Sequence, residues 1–126
     1  MPGVQFHLDK AEHNTRFLDS INKSIYPDWS VTAMFYIILH LVDAYLANKG
    51  LVSIPGHTIR RQNIAKDSIL GDRYLGIASS YKFLESESRK ARYEQAASSF
   101  ARPRVQRINQ AFHKLVQFFG QRGYKI

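Results

Sequence analysis

Tyr36, His40 and Asp43 stand at i, i+4 and i+7 in an otherwise apolar run, so on a helix their side chains share one stripe. A carboxylate near an imidazole raises its pKa and fixes its orientation, which on one reading makes His40 and Asp43 a proton-transfer pair. On the other reading the three form a self-satisfied polar seam that fixes helix register or lines a subunit interface. No third metal ligand falls at helical spacing, so no metal site is expected here. His57, Arg60 and Arg61 follow a Pro-Gly loop at a predicted helix start. Helix-start amides and guanidinium groups would hold a phosphate there, or the residues cap a solvated loop. Arg89, Lys90 and Arg92 beside Tyr93, then Arg102, Arg104 and Arg107 near Phe100, interleave cations with aromatics. Single-stranded RNA sites are built this way, and solvated helix ends look much the same.

Several chemistries are absent from the sequence. It has no cysteine, which removes disulfides, thiolate zinc sites, iron–sulfur clusters and a cysteine nucleophile. Gly-x-Ser-x-Gly, GxxxxGK and GxGxxG do not occur, and the acidic residues are scattered rather than paired.

The elements that must position these residues are helical nearly throughout. From Leu8 to Ile25 the apolar residues Leu8, Ala11, Leu18, Ile21 and Ile25 make one stripe. Pro27 closes the connection, and Asp28 is the expected N-cap of a second helix running to Gly50. That helix is apolar on almost every side, as a central helix surrounded by others would be. As a membrane span its apolar stretch is short and carries His40 and Asp43, so a core helix is expected instead. A short helix is expected from Ile59 to about Lys66, with Thr58 as its cap. Another follows Gly71-Asp72, carrying Tyr74, Ala78, Tyr81 and Leu84 toward the polar end Glu85-Ser86-Glu87-Ser88-Arg89-Lys90. The stretch after Tyr93 reads as mobile. A last helix starts near Pro103, carries Val105, Ile108, Phe112, Leu115 and Phe119, and ends at Gly120 and Gly123. At 126 residues and 44% hydrophobic, the chain suits one domain with a single core.

Charge is distributed unevenly. The chain carries +8 in all, and residues 95–126 contain six basic and no acidic side chains. A one-signed field of this kind favours polyanions such as RNA, DNA or an acidic membrane surface.

The run DWSVTAMFYIILHLVDAYLANKG (28–50), His57 with Arg60 or Arg61 after the Pro-Gly loop, and SESRKARY (86–93) together resemble bacterial members of the HEPN superfamily. The likeness includes Ala11, Asn14 and Phe17 in the preceding helix and spans roughly residues 7–93. The resemblance implies a bundle of four or five helices that commonly dimerises, found in toxin–antitoxin, CRISPR-linked and anti-phage systems. Many such proteins are metal-independent RNases, and others bind RNA, nucleotides or partner proteins without catalysis. The catalytic signature it implies is an Arg followed after four to six residues by a His, and Arg107-Ile-Asn-Gln-Ala-Phe-His113 has that spacing. In that role His113 would move the ribose 2′-hydroxyl proton or protonate the leaving oxygen, and Arg107 would stabilise charge on the phosphate. Ile108 departs from the pattern, which usually has a polar residue after the Arg. On one helix the two side chains point ~120° apart, so a twofold dimer would be needed to pool two copies in one cleft.

The sequence therefore predicts a single all-α domain over 1–126, an up-and-down, HEPN-like bundle of four to five helices. The expected function is an RNA-binding or partner-binding module of a toxin–antitoxin or defence system. The expected setting is a cytoplasmic homodimer without cofactor, metal or membrane, alone or with an antitoxin or other protein partner. The alternative is a metal-independent endoribonuclease using Arg107 and His113.

Overall fold

The second helix organises the molecule because its sequence is apolar on almost every side, the narrow stripe of Tyr36, His40 and Asp43 apart. In the computed structural model, which describes residues 3–51, 56–93 and 100–126, five helices form an all-α bundle: α1 (Val4–Ser20), α2 (Pro27–Asn48), α3 (His57–Lys66), α4 (Ile77–Tyr93) and α5 (Arg102–Gln121). No strand occurs among the described residues. Helices α1, α4 and α5 all lie against α2, and α4 also lies against α5. Phe35, Ile37, Ile38, Leu41, Val42 and Leu46 of α2 are wholly buried, and one contiguous core joins them to Leu18, Ile64, Leu84, Leu115 and Phe119 from the other four helices. α2 is the one described helix long and apolar enough to cross a membrane, and 78% of its apolar window is covered by its neighbours. The expected turn at Pro55 and the stretch 94–99 lie outside the described residues.

Helix boundaries differ from the sequence reading where side chains compete for the backbone. α1 ends at Ser20 rather than at Ile25. Ile21 is extended, and the Asn22 side chain accepts the amides of Ser24 and Ile25 at 3.0 and 3.1 Å, a local turn that replaces further helix. Asp28 is not the N-cap of α2. Tyr26 holds that position and Pro27 starts the helix, leaving Asp28 in the first turn, where the helix dipole favours an anion. Gly56, not Thr58, precedes α3. Asp72 does accept the amides of Tyr74 and Leu75, but this makes only a turn. Gly76, with φ 69°, breaks the chain again before α4 begins at Ile77. Tyr74, expected on the buried stripe, is fully exposed as a result.

Candidate functional site

Along one side of α2, the polar stripe meets polar side chains from three other helices. Asp43 is buried and accepts a two-pronged bond from Arg60 of α3, Nε to Oδ1 at 2.8 Å and Nη2 to Oδ2 at 2.9 Å. Parallel bonds of this kind match the planar guanidinium to the carboxylate. Burial works against the charge on Arg60, and the bonds to Asp43 more than offset it, so its pKa is raised. Arg60 Nη1 lies 3.2 Å from His57 Nδ1, and that same nitrogen is 3.6 Å from Glu85 Oε2 of α4. Arg61 donates to Glu85 Oε1 at 2.9 Å. Tyr81 is buried beside this cluster, and burial above all pushes its phenol up.

His40 has a different partner from the one its spacing suggests. Its Nδ1 lies 3.0 Å from Nδ1 of His7 on α1, with the two rings 5.3 Å apart. Burial is the main reason the pKa of His40 falls to about 4; His7, Arg60 and Lys10 lower it further, and Asp43 opposes them. His7 is lowered as well, again mainly by burial, and so is His57. At neutral pH the pair is uncharged, one ring donating to the other.

Tyr36, the third member of the stripe, accepts a bond from Arg92 Nη1 at 2.7 Å. Arg92 also lies over the Tyr36 and Tyr93 rings, 5.5 and 5.4 Å from their centroids. The polar end of α4 is not a solvated face. Glu87 is buried and takes an ion pair from Arg104 of α5, with Lys90 at 3.7 Å, and Arg104 covers the Phe100 ring.

No family model, curated protein or solved structure matches this chain.

The structure thus redistributes the residues singled out in the sequence. Of the two readings of the α2 stripe, the proton-transfer pair of His40 and Asp43 is corrected, since it does not form, and the polar seam is satisfied from outside rather than by itself: His40 meets His7, Asp43 meets Arg60 and Tyr36 meets Arg92. The expected phosphate site at His57, Arg60 and Arg61 is corrected too. Arg60 is buried and committed to Asp43, and Arg61 to Glu85. The premise that a third metal ligand is lacking fails, since α1 brings His7 alongside His40 and Asp43. Arg107 and His113 sit exposed on α5, and among the described residues Arg107 makes no hydrogen bond or ion pair while the His113 ring meets only Phe112. Arg89 and Arg102 are likewise exposed. Sequence reasoning missed His7, Glu85, Glu87 and Tyr81. For His7 a signal existed: positions 7, 11 and 18 share one helical stripe, and Ala11 and Leu18 are the buried residues of α1.

A second feature gathers at the end of the bundle where α2 and α5 begin and α4 finishes. A cavity of about 270 Å³ is lined by Asp28, Trp29, Thr32, Arg92 and Tyr93. On the other side of the first turns of α2, a wider hollow of about 430 Å³ is lined by Lys23, Pro27, Phe100, Arg102 and Gln106 among others. Trp29 is 55% exposed and Tyr93 77%. These are large aromatic surfaces left to water, with the partly buried Arg92 in the same hollow and the exposed Lys23 and Arg102 in the neighbouring one.

Proposed function

We propose that this chain is a binding module for single-stranded RNA and that the basic, aromatic end of the bundle is its contact surface. The supporting observation is the pair of hollows flanking the start of α2, which carry Trp29, Tyr93 and Phe100 beside Lys23, Arg92 and Arg102. Bases stack on exposed aromatic rings with little regard for sequence, and cations follow the phosphates between them. Asp28, in the wall of the smaller hollow, is an acceptor for a base amino group. Arg89 and Arg107 extend the positive surface along α4 and α5. On this reading the resemblance to HEPN proteins corresponds to their non-catalytic members, working in the cytoplasm as a homodimer or with a protein partner. The exposed groove of Phe17, Ile21, Tyr26 and Trp29 offers apolar surface for such a contact.

Trp29 is the only tryptophan in the chain, so its fluorescence reports the site directly. Titration with a single-stranded RNA of about a dozen nucleotides at low salt should quench it saturably. Tyr93→Ala should weaken binding by roughly 5- to 30-fold, as expected for loss of one stacked base. Absence of both quenching and binding in a folded protein would overturn the reading. Cleavage of the RNA in excess EDTA, abolished by His113→Ala, would replace it with the ribonuclease.

A further inference from the structure

We propose that His7, His40 and Asp43 form a binding site for a borderline divalent transition ion such as Zn²⁺ or Co²⁺, a site independent of the RNA-binding reading. One ligand atom from each of the three residues lies within 4.8 Å of the others, on α1 and on two positions of α2 three residues apart. The two Nδ1 atoms face each other at 3.0 Å. Nitrogens bound to one ion at about 2.0–2.1 Å stand roughly 3 Å apart, so the histidine pair already has the spacing of a chelate, and the Asp43 carboxylate, within 4.8 Å of both, closes on them to join the ion. Two imidazoles and one carboxylate are a common donor set for zinc in sites that keep a coordination position for water.

The surroundings support the same assignment. Arg60 grips both oxygens of Asp43, which fixes the carboxylate as an outer-shell partner does, and each oxygen retains a second lone pair for an ion. An ion bound by both Nδ1 atoms takes the place of the hydrogen bond between them, the ring that carried its proton on Nδ1 then carrying it on Nε2. His7 and His40 are only partly buried, which leaves the ion a path from solvent. The positive charge of Arg60 beside the site opposes a second cation, and the affinity expected is micromolar rather than that of a structural zinc centre.

The test uses tag-free full-length protein, dialysed against EDTA and returned to chelator-free buffer at pH 7.5. Titration with Co²⁺, followed by its visible absorption and by calorimetry, should saturate at one ion per chain. His7→Ala and His40→Ala should each weaken binding at least 10-fold, and His13→Ala and His113→Ala should leave it unchanged. Because His40 lies within the bundle, a second measurement needs no variant. In the wild type, Zn²⁺ should shift the ring nitrogen resonances of His7 and His40, and of no other histidine. No saturable binding, binding that survives loss of either residue, or Zn²⁺ shifts centred on other histidines would show that the pair is a hydrogen bond only.

Discussion

Asp43 and Arg60 form the ion pair in which the loss of a single member should cost most. Taking one charge out of a buried pair strands the other, typically at ~3–5 kcal/mol, whereas replacing both with apolar groups is often close to neutral. Asp43→Asn should therefore lose several kcal/mol in urea denaturation, and Asp43→Leu with Arg60→Met should recover most of it. If the double variant is no more stable than the single one, the carboxylate does more than answer the guanidinium. The histidines make a different prediction. An unfolded chain takes up protons at His40 below about pH 6.5, and the folded chain refuses them until about pH 4. Stability from this ring is complete above the upper value and is lost as pH falls through that window. With EDTA present, thermal melts should fall by several degrees between pH 7 and pH 4.5, and His40→Gln should flatten that dependence. Solvent at this partly exposed ring limits the effect to roughly 2 kcal/mol or less.

At the scale of elements, α3 is held differently from the other helices. Its buried residues are Ile64 and Arg60, and it is tied to α2 through Asp43 and to α4 through Glu85. The turn after it depends on Gly71, where an added Cβ would stand 2.6 Å from the carbonyl oxygen of Ala65 and 2.8 Å from that of Asp67. Both obstacles are backbone and cannot swing aside. Gly71→Ala should destabilise by about 2 kcal/mol, within the range for overpacked sites. Gly120, inside α5 with open space around it, is the contrasting case, and Gly120→Ala should be neutral or gain up to about 1 kcal/mol from helix propensity. Thermal melts of the two variants side by side check both signs. Asp67 marks the same region: it accepts from Tyr45 and Lys49 and from the amides of Ile69 and Leu70, and the bond from Lys49 is the main reason that lysine is pushed up to about 12.

For the whole molecule, the arrangement of charge matters more than the total. Asp43 of the polar stripe, and Glu85 and Glu87 from what reads as a polar helix end, are buried and paired with Arg60, Arg61 and Arg104, while Lys23, Arg89, Arg102 and Arg107 remain at the surface. The net +8 is therefore carried by surface cations and is distributed unevenly over the molecule. If three or four of these cations meet phosphates, log affinity for single-stranded RNA should fall with log salt at a slope of about −2 to −3. Anisotropy titrations between low and moderate salt measure it. A slope near zero would point to an apolar partner at the Trp29 groove instead of a nucleic acid.

How much the sequence decided by itself follows from the range of each interaction. Period and composition acted locally, so the all-α class, the five helices and the central place of α2 could be read from spacing alone: burying an apolar stripe every three to four residues leaves few alternatives. The glycine after α2 was legible for the same reason, since Gly50 has the φ of 78° that such a helix end demands, whereas Gly120, expected to end the last helix, lies inside α5 and the chain turns only at Gly123, with φ 94°. Partners across helices were not. Spacing placed His40 and Asp43 on one stripe, yet their i, i+3 relation did not make them a pair, because Arg60 lies 17 residues from Asp43 and His7 lies 33 from His40. Only the docking of α1 and α3 on α2 decided which donor each acceptor met. The docking of α3 and α5 on α4 likewise turned Glu85 and Glu87 inward from what reads as a charged helix end, because each meets a partly buried arginine from another helix, Arg61 and Arg104.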